Sequence, residues 1–269
     1  MTDPERLSYA ADVRTELARL FRAPRVELTS LLFNALVVCA GWWLLPASLK
    51  NALFSRLQGP LSFVVVLETW MLSDAAATNL LGRDEQSALD ALQRVGGVRR
   101  LVRVKVAALA LIIGTVCAGL AAVIGVSWPT HPVVAAPLTA VFIAIPFGTI
   151  AAASWLGVLL PYRSRSLHWR WLHRRPWRTT ARWVLLVVTP FWSVGLVITA
   201  FVLPAQFIAS ALTHRHAKGP PPTSVVAVAV LTACALSAVA FAAAPALADR
   251  LARARHSRLV DYLRDPAAG

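Results

Sequence analysis

Glu68 asks more of its surroundings than any other residue in the chain. It lies near the middle of the largely apolar run Leu61–Leu81. An ionised side chain at the centre of a bilayer costs at least about 2.5–3.5 kcal/mol on insertion scales. Glu68 must therefore be protonated, paired, or turned toward water inside the protein. Two chemistries follow, and the sequence leaves both open: a pathway-lining or proton-linked carboxylate, or an interhelical structural hydrogen bond. Asp74 follows six residues later, about 240° around a helix at 100° per residue, so the two carboxylates do not share a face. Asp74 falls toward the end of the run, where water or Arg83 can reach it. Asn34, in the preceding apolar run, is a candidate hydrogen-bond partner for Glu68.

Other chemistries find little support. The six histidines (131, 168, 173, 214, 216 and 256) all fall between or after the apolar runs. None is placed within a run to ligate a metal or serve a nucleophile. Cys39, Cys117 and Cys234 are isolated within apolar runs, with no CxxC pair and no Cys/His cluster, and read as small packing residues. Ser154-Trp155-Leu156-Gly157 is a faint match to an intramembrane serine protease site, but no histidine stands on another run to activate the serine. There is no GxxxxGK[ST] phosphate loop. The chain is therefore expected not to be an enzyme, and to hold no metal or cofactor of its own.

The elements that position these residues follow from composition. Of 269 residues, 57% are hydrophobic and only 15% charged, yet the net charge is +14. Soluble domains sit near 45–50% apolar, so the surplus requires an apolar solvent. A basic, hydrophobic chain could bind nucleic acid or sit in a membrane. The charges lie between the apolar runs, which selects the membrane. About 20 apolar residues are needed to cross about 30 Å of hydrocarbon. Six runs qualify: 28–46, 61–81, 106–128, 133–160, 183–203 and 224–247. The expected fold is an all-α membrane protein of about six transmembrane helices. Residues 1–27 precede the 28–249 membrane domain, and 250–269 form a tail.

Orientation follows from basic residues. With the N-terminus in the cytoplasm, 23 of the 27 Lys and Arg fall on the cytoplasmic side. Only Lys50, Arg56, Arg215 and Lys218 fall on the other, and the positive-inside rule places both termini inside. Arginine far outnumbers lysine and alanine is abundant, which reads as the codon bias of a GC-rich bacterium and places the chain in a bacterial plasma membrane. The polar start is not a cleavable signal peptide.

Three further segments matter. In Pro4–Arg25, apolar Leu7, Ala11, Leu17, Leu20 and Phe21 interleave with Arg6, Arg14, Arg19 and Arg22. That pattern predicts an amphipathic helix on the cytoplasmic membrane surface, against the plainer reading of a soluble tail. Pro204 is followed by apolar Ala205–Leu212 and then the polar segment His214–Thr223. A proline-broken extension predicts a re-entrant or outer interfacial helix, and a single long kinked helix is the alternative. Tyr162–Arg182 holds seven arginines with Trp169, Trp171 and Trp177, suited to anionic headgroups rather than nucleic acid.

Between the second and third runs the chain reads Gly82-Arg83-Asp84-Glu85-Gln86-Ser87-Ala88-Leu89-Asp90-Ala91-Leu92, then Val98 to Lys105. This resembles the membrane subunit of ATP-binding-cassette type-2 exporters, whose pattern here is Glu-Arg-Glu-x-Gly-Thr-Leu-Glu-x-Leu-Leu, a Pro-Val-Ser turn and an entering Lys. Glu85, Leu89, Asp90, Leu92 and Lys105 match. Arg83, Ser87-Ala88 and Gly96-Gly97 depart from the pattern. The span plan and the Leu159-Leu160-Pro161-Tyr162 junction with its following Pro176-Trp177 are also similar to actinobacterial members. The resemblance implies a permease subunit of an exporter, dimeric with itself or a sister chain, powered by a separate ATPase that holds ATP and Mg. It further implies that Asp84–Arg94 is a coupling helix, with Asp84, Glu85, Leu89, Asp90, Leu92 and Lys105 serving the ATPase junction and the two leucines as apolar anchors. An ion- or proton-coupled carrier using Glu68 is the rival reading, although no internal repeat supports one. A non-catalytic membrane assembly protein is the third. Cargo class, whether drug, lipid or glycan, is not encoded in any recognisable fingerprint.

Overall fold

The computed structural model describes residues 4–22, 26–49, 61–82, 84–127, 132–161, 177–213 and 223–265. Among them the regular structure is entirely helical: α1 (Pro4–Phe21), α2 (Val26–Leu44), α3 (Leu61–Leu72), α4 (Ala75–Thr78), α5 (Glu85–Gln93) and α6 (Gly97–Ser127). The chain continues with α7 (Pro132–Ala153), α8 (Trp155–Leu159), α9 (Trp177–Thr213), α10 (Thr223–Ala254) and α11 (His256–Arg264). Among the described residues, three segments are long and apolar enough to cross a membrane: Gly97–Ile124, Thr139–Leu159 and Ala227–Ala254. Leu28–Leu44, Phe63–Leu72 and Val188–Phe201 are shorter apolar helices. The chain is thus an all-α protein with the helices of a membrane protein.

The centre of the bundle is α6, α7 and α10, packed against one another, with α3 against α6 and α9 against α10. Close approach depends on small residues. A Cβ on Gly114 would stand 3.2 Å from the backbone of Phe142 and Ile143, and one on Gly148 would stand 2.6 Å from Ser237 Cα. At the second crossing, Gly148 N donates to Ser237 Oγ at 2.9 Å and Ser237 Oγ donates to Ala144 O at 2.6 Å. One hydroxyl from α10 thus bridges an i, i−4 backbone pair of α7. The Phe147 and Phe241 rings meet edge to face beside it, with centroids 5.6 Å apart.

Three boundaries differ from the sequence expectation. The run 61–81 is not one helix: α3 ends at Leu72, and Ser73-Asp74 form a break before α4. Ser73 Oγ donates to Thr69 O at 2.7 Å, while Ser73 N donates to both Thr69 O and Trp70 O. Such local hydroxyl bonds compete with helical continuation. At the third run, the helix begins at Gly97, well before residue 106, so Arg99, Arg100, Arg103 and Lys105 stand on α6 itself rather than in a loop. Gly96 has φ 71°, the left-handed conformation that suits glycine where a chain reverses between helices.

The third difference concerns Pro204, where a break was expected. Instead α9 runs unbroken from Trp177 to Thr213 through both Pro190 and Pro204. Long apolar helices tolerate proline when nearby groups satisfy the freed backbone. Ser193, in the turn after Pro190, donates its hydroxyl to Thr189 O at 2.8 Å and Pro190 O at 3.1 Å, which are not the carbonyl that the proline frees. The expected arginine- and tryptophan-rich interfacial segment lies mostly outside the described residues (162–176), as do Arg83 and the polar segment 214–222.

At the Arg-rich end of the bundle, α1 and α5 pack on α6, and α11 packs on α5 and α10. Val13 of α1 packs with Val104 and Ala107 of α6. Tyr9 OH donates to Arg103 O at 3.2 Å, and Arg100 pairs with Asp12 at 2.7 Å. Leu20 is buried and Leu17 half-buried in the chain's own core, while Ala11 and Phe21 stay exposed. Much of the apolar stripe of α1 is therefore covered by this protein rather than left free. Helix α11 buries Leu259 and Leu263 and packs on α5. Where α10 meets α11, Arg255 Nη1 donates to Leu159 O at 3.0 Å, capping the end of α8.

Candidate functional site

Two places hold the residues singled out from the sequence: helix α5 with the start of α6, and the interior around α3.

Helix α5 exists because Asp84 caps it. The Asp84 carboxylate accepts from Ser87 N at 3.2 Å, satisfying one of the backbone donors that a helix start leaves free. Its other oxygen accepts from Lys105 Nζ at 3.3 Å. Lys105 is buried, with 4% of its side chain exposed, and Asp84 is 20% exposed. Burial alone would push the Asp84 carboxyl upward. The Lys105 ammonium and the Ser87 N–H outweigh it and hold the group below its ordinary value. The pair fastens the N-terminus of α5 to the third turn of α6.

The expected coupling residues therefore divide. Asp84 and Lys105 meet each other inside the chain. Leu92 is buried and Leu89 half-buried against the same core, so Leu92 does not stand out as a surface anchor. With an apolar helix face and its own chain alongside, burial against α6 and α11 is the nearer way to remove it from water. Glu85 is half-buried in the first turn, and Asp90 is exposed.

The outward side of α5 carries Gln86, Asp90 and Gln93, and leads to exposed Arg94 and to Val95 at 96% exposure. Val95 is the surface apolar group that sequence reading passed over. Its signal was available: one apolar residue between Arg94 and the Gly96-Gly97 turn. Beside it opens a groove of about 590 Å³ between α1, α5 and α6, lined by Asp12, Glu16, Asp90, Arg94, Val95 and Arg100 among others.

In the interior, Asp74 is buried rather than reaching water. Its carboxylate accepts from Ser30 Oγ at 2.9 Å and from Asn34 Nδ2, both on α2. Asn34 thus serves Asp74 and not Glu68. The helical-wheel angle between the two carboxylates also lapses, because α3 stops between them.

Glu68 sits on α3 with Val64, Leu67 and Met71, all buried, and is itself 5% exposed. Its Oε1 has no hydrogen-bond partner among the described residues. Cys117 of α6 lies within electrostatic reach of it. Buried polar atoms without partners are rare and costly, and this oxygen is one of the few in the interior among the described residues. Among the described residues, no group of three or more His, Cys, Asp or Glu is placed to hold a metal ion.

Comparisons of the chain with protein-family models, with curated proteins and with solved structures find no match.

Proposed function

We propose that the chain is the permease subunit of an ATP-binding-cassette exporter in a bacterial plasma membrane. It has six spans, both ends in the cytoplasm and an N-terminal interfacial helix, and pairs with a second permease subunit and a separate ATPase that holds ATP and Mg. The observation that supports this most is the placement of α5. It is a capped, nine-residue helix between the second apolar segment and the long apolar helix α6, with a polar outer side ending at exposed Val95. Force applied to α5 has two firm routes into the bundle: the Asp84–Lys105 pair into α6, and the α11 contact toward α10. Rigid-body rocking of packed helices is the general way such a push changes access to a membrane pathway.

Mild-detergent pull-down of the tagged chain from native membranes tests this. The expected result is co-purification of an ATPase bearing a phosphate loop, lost when Asp90→Lys and Val95→Asp are introduced together. Both positions are on the surface, so the variant keeps its fold. Recovery with no ATPase, where other complexes of the same membrane survive, would overturn the reading.

The unpartnered Glu68 Oε1 favours a second reading, a self-contained proton-coupled carrier. In that case Glu68→Gln abolishes the pH dependence of transport in vesicles holding the chain alone. Unchanged pH dependence in that variant removes the carrier.

A further inference from the structure

We infer that the surface where α6 meets α10, at the Arg-rich end of the bundle, binds the phosphate headgroup of an anionic phospholipid through Arg99 and Arg103. The site rests on membrane embedding and not on any ATPase partner.

Three of the arginines around this end pair with a carboxylate. Arg100 pairs with Asp12, Arg19 with Glu16 and Arg253 with Asp249. Among the described residues, neither Arg99 nor Arg103 has one. They stand four residues apart on α6, and so on one face of it. Arg99 is exposed and Arg103 half-buried. Arg103 is also held in place. Its Nη2 donates to Ala242 O of α10 at 2.9 Å, and its own carbonyl accepts from Tyr9 OH of α1. Its Nε is buried with no hydrogen-bond partner among the described residues. A bond to α10 thus holds the guanidinium, and a bond from α1 holds the backbone that carries it, next to a second cation and without a counter-charge. Guanidinium forks match phosphate oxygens in geometry as well as charge.

What leads away from the pair identifies the ligand as a lipid. On α10, Leu231, Ala235, Val239 and Ala242 are all exposed and recur at four, four and three residues, forming one apolar stripe that leads to Arg103, with exposed Ala243 and Leu247 beyond it. At 1.5 Å per residue the stripe is roughly 16 Å long, about half of a 30 Å hydrocarbon core. An acyl chain along the stripe carries its headgroup to the two arginines. A free anion has no use for that stripe.

The test is native mass spectrometry of the full-length purified chain, given equal amounts of phosphatidylglycerol and phosphatidylcholine of matched chain length. Phosphatidylglycerol should be retained in clear excess. Arg99→Gln with Arg103→Gln should weaken its retention roughly thirtyfold, the factor two interfacial arginines contribute together, and leave phosphatidylcholine unchanged. Should the double variant fail to fold, Arg99→Gln alone, at an exposed position, should weaken retention roughly fivefold. Arg258→Gln with Arg264→Gln, which removes two exposed charges from α11, should leave retention as it was.

Equal retention of both lipids by the native chain overturns the site. So does equal loss in the α11 variant, which would mean diffuse attraction to the whole basic end. Displacement of phosphatidylglycerol by millimolar inorganic phosphate would assign the arginines to a free anion, and retention lost only on self-association would assign the stripe to a second copy; either result also overturns it.

Discussion

Gly148→Leu abolishes recovery of folded, monodisperse chain, and Gly148→Ala lowers its stability by about 1–3 kcal/mol, the usual cost of overpacking a tight core. A Cβ at this position would stand 2.5 Å from Ser237 Oγ, 2.6 Å from Ser237 Cα and 2.8 Å from Ser237 O. Two of those three atoms are backbone and cannot rotate away. The α7–α10 crossing would have to open, and with it the hydroxyl bridge from Ser237 to Gly148 N and Ala144 O and the Phe147–Phe241 contact. Size-exclusion profiles and thermal unfolding in detergent report both effects. Adding Ser237→Gly to Gly148→Ala should restore little, because only the hydroxyl clash is relieved. A Gly148→Leu chain with native elution and midpoint would show that α7 and α10 do not meet here.

The second large effect is at the Asp84–Lys105 pair. Asp84→Ala leaves a buried ammonium without its counter-charge and removes the cap of α5. Breaking a buried pair from one side costs about 3–5 kcal/mol. Asp84 retains some exposure, so screening by solvent places the loss toward the lower end. Replacing both residues, Asp84→Asn with Lys105→Met, should recover most of it, since no charge is then left buried and the amide can still cap. Hydrogen exchange of the α5 amides and chemical unfolding measure the cycle. A double variant no better than Asp84→Ala would mean that neither the unpaired charge nor the lost cap accounts for the loss, and would overturn the assignment.

The same pair sets a pH dependence. Asp84 is held below its ordinary value when folded, so its stabilisation is fully present above the unfolded carboxylate value of about 3.9. It is lost as pH falls through the lower folded value. The stability difference between the native chain and Asp84→Asn should therefore be constant near neutrality and shrink below about pH 4. A difference that grew on acidification would contradict the assignment.

Helical class and membrane character were legible from the sequence because they depend on additive quantities. The 57% apolar content and the grouping of that content into runs with charge between them both survive any detail of packing. The cost of Glu68 and Asp74 was equally legible, since a charged residue within an apolar run needs a partner wherever the chain goes, whereas Asp84 and Lys105 were marked only by a resemblance to a motif. Which partner each residue finds was not legible. Asn34 meets Asp74 because α3 ends at Leu72 and turns the carboxylate toward α2. Leu92 faces inward because α6 and α11 reach it first.

Pro204 shows the same divide. Intrinsic propensity breaks a helix at proline, yet α9 continues through it. Local composition determined what kind of solvent this chain requires and where its costly groups lie. Only the tertiary structure decided which of those groups satisfy one another, because hydrogen bonds and ion pairs act over a few ångströms. Distances that short between residues 40 or more apart in sequence, such as Asn34 and Asp74 or Tyr9 and Arg103, are set by how helices cross.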